Sequence, residues 1–202
     1  MRRTAEDAAA TRVALLDAAL AVIARDGYPA TRLEEVAKHA GVTRGALYHH
    51  FSGKAELFDA AVAARWAEVA VEVFGDLDGT EPALRRLERF VAGYARRARS
   101  EPRFRELLTV VVLRTGSRPE LAPGLREKQQ ATDLWLEALL PTLAEAEAAG
   151  ELRAGLDARA AAGDVLTALY GVTVLCALPD GADTGLVDAG RLARTIVRGL
   201  GR

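Results

Sequence analysis

The chain has 202 residues, half of them hydrophobic, with 7 prolines, one cysteine and a formal net charge of −1. That length buries a substantial core in one or two domains. It contains no run of about 18 uncharged apolar residues to span a membrane, no apolar secretory leader and no second cysteine for a disulfide, so a reducing cytoplasm is expected.

Abundant alanine and leucine with few prolines predict a mostly helical chain. Charge is uneven: residues 1–54 hold 8 Lys/Arg against 6 Asp/Glu and all three histidines, while the remainder holds 19 against 22. A mildly basic head on an acidic body is compatible with DNA binding through a compact face. The opening MRRTAEDAAA has no apolar periodicity beyond alanine. Arg2 and Arg3 there read either as a solvated tail or as an arm touching phosphate. A first helix is expected from about Ala10 to Arg25, with Val13, Leu16, Leu20 and Ile23 on one face. Gly27 ends it and Pro29 prevents its continuation.

Two short helices follow, over residues 31–40 and 43–50, broken at Gly41. Thr31 with Glu34 three residues later is the pattern of a reciprocal capping box. Leu33, Val36, Ala37 and Ala40 form the inner face of the first, and Thr43 caps the second. Val42, Ala46 and Leu47 pack back, so Arg44, Gly45, Tyr48 and His49 point outward, with His50 at the end. This is a helix-turn-helix with its recognition helix second. Arg44 suits phosphate or guanine O6 and N7. Gly45 admits close backbone approach, Tyr48, His49 and His50 offer flat polar groups, and Thr31 and Thr43 stand at helix N-termini that favour phosphate. Lys54 opens the next helix within reach of the same backbone. A purely structural helical hairpin is the plainer reading of such a pair, and the density of contact-capable residues argues against it.

From about Val13 to Val62 the chain resembles the DNA-binding domain of TetR-type transcriptional regulators. The resemblance rests on Ala18-Ala19, Gly27-Tyr28, Ala30-Thr31, Val36-Ala37, Gly41-Val42-Thr43-Arg44-Gly45, Leu47-Tyr48, His50-Phe51, Lys54 and Leu57-Phe58. The Thr-Arg-Gly-Ala-Leu-Tyr version is similar to the AcrR-like multidrug-efflux branch. Arg32 departs from the pattern, since many relatives carry a small hydroxyl there.

The fourth helix, from Ser52 or Gly53 to about Phe74, carries Phe58, Val62, Trp66, Val69 and Val73. It is longer than a small DNA-binding domain needs and reads as a rigid connector. Gly75 to Gly79 is a loop. The fifth helix, about Pro82 to Arg99, turns Leu84, Leu87, Val91 and Tyr94 inward. Arg85, Arg86, Arg89, Arg96 and Arg97 then lie mainly outward, as a solvated face or a nucleic-acid patch. A sixth helix spans roughly Pro102 to Arg114, with a break at Thr115 to Pro119. A long helical stretch from about Glu120 to Ala149 is open to interruption at Pro123-Gly124 and to a kink at Pro141. Asp157 caps an eighth helix to about Leu178 that is apolar nearly all round, which demands burial on all sides. A last helix covers Leu186 to Leu200. The simplest partner for these two is a second copy, through Val165, Leu169, Val172, Ala193, Ile196 and Leu200.

The expected fold is thus all-α with about nine helices: a helix-turn-helix head over residues 1–54 and an effector-binding, dimerising body over 55–202. The resemblance implies a small-molecule pocket in the body whose occupation releases the operator. Trp66, Tyr94, Phe104, Leu107, Val111, Trp135, Leu139 and Tyr170 are its candidate lining, and aromatics suit a small apolar effector. Cys176 has no flanking cation and reads as an inert buried thiol. His49 and His50 are adjacent and point to different sides, so no shared metal is expected. No catalytic constellation and no cofactor are expected either. The expected partners are double-stranded operator DNA, an apolar effector and a second copy of the chain. The alternative is a helical ligand-binding or scaffold protein with a vestigial helix-turn-helix.

Overall fold

The computed structural model describes residues 5–114, 122–178, 181 and 184–202, in which nine α-helices form and no strand. The sequence break expected at Thr115 to Pro119 lies outside the described residues, as do Arg2 and Arg3.

Three helices build the head: α1 (Ala5–Asp26), α2 (Leu33–His39) and α3 (Arg44–His50). Leu15, Leu16, Ala19, Val22 and Ile23 of α1 enclose Val36 and Ala37 of α2 and Leu47 of α3 in one cluster. Val13, expected on one face with Leu16, Leu20 and Ile23, is instead 56% exposed, because the buried face is centred on the Leu15–Ala19–Val22 side of the helix. The turn after α1 also departs from expectation. Gly27 takes φ 81°, folding the chain so that the buried Thr31 hydroxyl donates to the Gly27 carbonyl at 2.9 Å. Thr31 therefore does not cap α2, which starts at Leu33 with no side-chain cap, and the expected capping box does not form. The α2–α3 turn follows the sequence. Gly41 adopts φ 69°, and the Thr43 hydroxyl accepts the Ala46 amide at 3.1 Å as the cap of α3.

Helix α4 (Lys54–Gly75) leaves the head without interruption. Its first turns put Leu57, Phe58 and Ala61 into the head cluster, and its far end puts Val73 into the body cluster. The body continues with α5 (Ala83–Ser100) and α6 (Pro102–Leu108), the latter prolonged by a π-helical turn over Thr109–Arg114. Then come α7 (Ala122–Ala148), α8 (Ala158–Ala177) and α9 (Ala189–Leu200). Helix α7 has Pro123 in its first turn, where a proline is tolerated, and runs on through Pro141. Asp157 and Asp188 cap α8 and α9, accepting the amides of Ala160 and Arg191, each at 2.7 Å.

The arginines of α5 do not all face water. Arg86 is 7% exposed, pairs with Glu145 and donates to the Leu77 carbonyl at 3.1 Å. Arg97 meets Asp76 at 3.0 Å, and Arg89 donates to the Asp76 carbonyl at 3.1 Å. A buried guanidinium needs such partners, so this run ties α5 to its flanking loop and to α7 rather than forming a nucleic-acid patch.

Helix α8 is long and apolar enough, by length and composition, to cross a membrane, yet here it packs in the body against α5 and α7. That packing already occupies most of the residues expected in a dimer seam. Val165, Leu169, Val172, Ala193 and Leu200 are all buried within the protomer, and Ile196 is half-buried. The outer side of α8 is instead Thr167, Gly171, Val174 and Leu175, followed by Leu178. The body core itself accounts for most of the apolar circumference of this helix.

Replacing Thr43 with Ala should lower stability by about 1 kcal/mol through loss of the α3 cap, and Thr43→Asp should restore it, since aspartate caps equally well. Urea denaturation of both variants checks this; equal losses for Ala and Asp would show that the hydroxyl contributes something other than capping.

Candidate recognition helix and cavity

Helix α3 presents Arg44, Gly45, Tyr48 and His49 exposed on one side, while Leu47 anchors the other. The Arg44 guanidinium lies 5.4 Å from the Tyr48 ring and pairs with Glu34 of α2 at 3.1 Å. The Tyr48 side chain, then Glu34, favours the charged form of Arg44. A phosphate or a base edge must compete with Glu34 for this side chain. His50 is half-buried, its ring 6.3 Å from that of Phe51 and 5.5 Å from that of His49. No cluster of three metal-ligating side chains occurs among the described residues.

Lys54 opens α4 four residues after α3 ends. Its ammonium is 4.5 Å from the Tyr28 ring centre and donates to the Pro29 carbonyl at 3.3 Å. Partial burial pulls its pKa down. Tyr28 in turn meets Phe58 edge-on at 5.1 Å. Thr31, with its hydroxyl turned inward onto Gly27, is removed from the group of outward-facing side chains.

A cavity of about 440 Å³ lies between α4 and the body. From α4 it takes Phe58, Asp59, Val62, Ala63 and Trp66; from α5, Tyr94. Leu107 and Leu108 of α6 and Val111 of the π-helical turn form one side. Leu134 and Trp135 of α7 and Leu166, Leu169 and Tyr170 of α8 complete it. Six of the expected lining residues are present: Trp66, Tyr94, Leu107, Val111, Trp135 and Tyr170. Phe104 and Leu139 are not. Both are fully buried behind the wall, Phe104 bracing the Tyr94 ring edge-on at 5.4 Å.

Trp135 is the hub of the aromatic wall. Its ring centre is 5.3 Å from Trp66, 5.0 Å from Phe74 and 5.5 Å from Tyr94, the last two contacts nearly edge-on. Such offset contacts stiffen a wall beyond the area they bury. The Tyr94 hydroxyl is satisfied by Thr173 at 2.6 Å, and burial pushes its pKa well up, so it stays neutral. The Tyr170 hydroxyl shares a hydrogen with Thr132 at 3.1 Å. Burial also raises the Cys176 thiol, which keeps it protonated and unreactive.

Sequence reasoning missed Phe58, Asp59, Val62, Ala63, Leu108, Leu134 and Leu166 as lining, and assigned Leu169 to the dimer seam. For α4 the signal was present. Asp59, Val62, Ala63 and Trp66 fall at i, i+3, i+4 and i+7, the spacing of one helical stripe.

Comparison with known proteins agrees with this architecture. The family model for bacterial regulatory proteins of the tetR family matches residues 15–61. An uncharacterized HTH-type transcriptional regulator of Pseudomonas putida, TtgW, is 43% identical over 76 residues. That match covers 38% of this chain and little more than half, 57%, of TtgW. The HTH-type transcriptional repressor BepR of Brucella suis is 32% identical over 173 residues, 85% of this chain and 82% of BepR. Among solved structures, NalD of Pseudomonas aeruginosa, the secondary repressor of the MexAB-OprM multidrug efflux pump, superposes with a TM-score of 0.74 at 26% identity, over 98% of both chains. The helix-turn-helix of α2 and α3, the helical body behind it and the near full-length match to BepR make this chain a member of the TetR family of bacterial regulatory proteins.

Proposed function

We propose that the chain is a transcriptional repressor that grips a palindromic operator as a dimer and lets go when a small apolar molecule fills the cavity. The observation that carries this is the continuity of α4. One unbroken helix starts at Lys54, four residues after α3 ends, and reaches Trp66 in the cavity wall. The naming of BepR and NalD as repressors supports the direction of the response. In this reading residues 1–54 are the DNA-binding unit and 55–202 the sensing and dimerising one, working in the cytoplasm where operator DNA is found.

Arg44, Tyr48 and His49 then meet base edges and phosphates, with Gly45 allowing close approach and Thr43, His50 and Lys54 serving the flanking backbone. Thr31 supports this face by holding the preceding turn. A dimer places two such helices about one DNA turn, ~34 Å, apart or a small multiple of it. The exposed Val174, Leu175 and Leu178, with Gly171 allowing close approach, are the stripe of α8 that a second copy covers, flanked by half-buried Ile196 and Val197 of α9. A vestigial helix-turn-helix would gain nothing from keeping Arg44 and Tyr48 in contact on the exposed side of α3.

The test is binding to duplex from the chain's own upstream region at several salt concentrations. Arg44→Ala should weaken binding with helix content intact. If Arg44 reads a base, discrimination against scrambled duplex falls by about 1–3 kcal/mol per half-site; if it holds phosphate, the salt slope drops by about 1 instead. Unchanged affinity and slope would remove α3 from the interface.

Leu175→Glu tests the dimer stripe separately. A carboxylate forced into an apolar seam should cost several kcal/mol of association, so sedimentation should give monomers with wild-type helix content and no palindrome binding. A fully dimeric variant would place the interface elsewhere.

A further inference from the structure

The carboxylate of Glu34 closes no capping box, since α2 starts without a side-chain cap. It reaches across the turn instead and pairs with Nη1 of Arg44 at 3.1 Å, joining the first turn of α2 to the first residue of α3. The same guanidinium lies over the Tyr48 ring, 5.4 Å from its centre. A cation at the first position of a helix gains nothing from the helix dipole, whose positive end is there. Arg44 is thus held by two side chains at a position its own helix does not favour. Glu34 is 50% exposed and Arg44 63%, so the pair is weak and DNA can displace it. Glu35, next in sequence, lies in the same first turn, but its charge acts on Arg25 at the end of α1.

Competition from Glu34 falls unequally on the two kinds of DNA contact. A guanidinium has five N–H donors in a planar fork. With Nη1 on Glu34, the Nε–Nη2 edge remains for the O6 and N7 of guanine, so the ion pair and a bidentate base contact coexist. A phosphate oxygen along the backbone draws the side chain off Glu34 and brings two negative charges together. We propose that Glu34 is a specificity-determining residue of the helix-turn-helix: it holds Arg44 ready for a guanine and penalises the phosphate contacts that Arg44 would otherwise make on any sequence. This rests on α3 being the recognition helix. Glu34 is a positioning residue that acts through Arg44. What it contributes is discrimination, through a repulsion that only the wrong contact meets.

The specific probe is the duplex that the wild-type chain enriches from a randomised pool, and the non-specific probe is the same duplex scrambled. Affinity for both is measured across a salt series, starting low, for wild type, Glu34→Gln, Glu35→Gln, Arg44→Ala and the Glu34→Gln/Arg44→Ala double variant. In Glu34→Gln the scrambled duplex should gain more than the enriched one, so the specificity ratio falls by about three- to tenfold, the scale of two exposed charge pairs in a dimer. The salt slope on scrambled duplex should steepen by about 1 for each Arg44 that moves to phosphate. Glu35→Gln makes the same charge change without the Arg44 contact and should raise both affinities alike. In the Arg44→Ala background, Glu34→Gln should move neither ratio nor slope. A ratio and slope that stay fixed in Glu34→Gln, or that shift as much in Glu35→Gln or without Arg44, overturn the inference while leaving α3 as the DNA-reading helix. Equal weakening on both duplexes also overturns it, since Glu34 then only supports the fold. If the wild type enriches no sequence, the DNA-binding reading falls and this inference with it.

Discussion

Helix α4 belongs to two cores at once, and that shared membership governs the rest of the molecule. Leu57, Phe58 and Ala61 are packed with α1, α2 and α3, whereas Val73 is packed with α5 and the body. A helix of 22 residues held at both ends cannot tilt at one without moving the other. Its middle, from Phe58 to Trp66, is the cavity wall. The cavity wall is therefore continuous with a rod whose first residue, Lys54, packs on the Tyr28 ring in the turn between α1 and α2. The contact chain from Phe58 through Tyr28 to Lys54 shortens this path to three side chains.

The junction between head and body is polar as well as apolar. Asp17 of α1 accepts from Arg65 of α4 and pairs with Arg103 of α6, so one carboxylate ties the head to two body elements. Arg65 is 8% exposed, and a guanidinium so buried would be costly without Asp17 and Glu68. Val110 of the π-helical turn adds an apolar contact, buried in the head cluster next to Val111, which lines the cavity. The cavity thus touches the head through two elements, α4 and the end of α6, and a ligand that moves one against the other strains the Asp17 hub. The energy available is the ligand's preference for one arrangement over the other and no more.

The fold was largely legible because its signals are local. Gly27, Gly41 and Gly150 all take positive φ at helix ends, and Thr43 and Asp157 cap where expected. Thr31 failed as a cap because the same hydroxyl had a nearer acceptor in the Gly27 carbonyl, a choice that depends on how the turn folds and not on spacing. Tertiary facts were harder. The apolar circumference of α8 looks the same whether α5 and α7 or a second copy covers it, so Leu169 was placed in a seam although it lines the cavity. Large aromatics were found because their size singles them out; Val62, Ala63 and Asp59 were not, although they share Trp66's stripe. Arg86 looked like one surface arginine among five, and the Leu77 carbonyl together with Glu145, 59 positions away, makes its burial tolerable.

The central claim is that occupancy of the cavity moves the recognition helices through α4. Distance measurement between spin labels tests it most directly, using Lys38→Cys on the exposed face of α2 in a Cys176→Ser background, so that each protomer of the proposed dimer has one label. The account predicts that the inter-label distance distribution shifts by several ångströms on saturation with a small apolar ligand that quenches tryptophan fluorescence, in step with that quenching and with loss of operator binding. A distribution that stays fixed while quenching reports a filled cavity would contradict it.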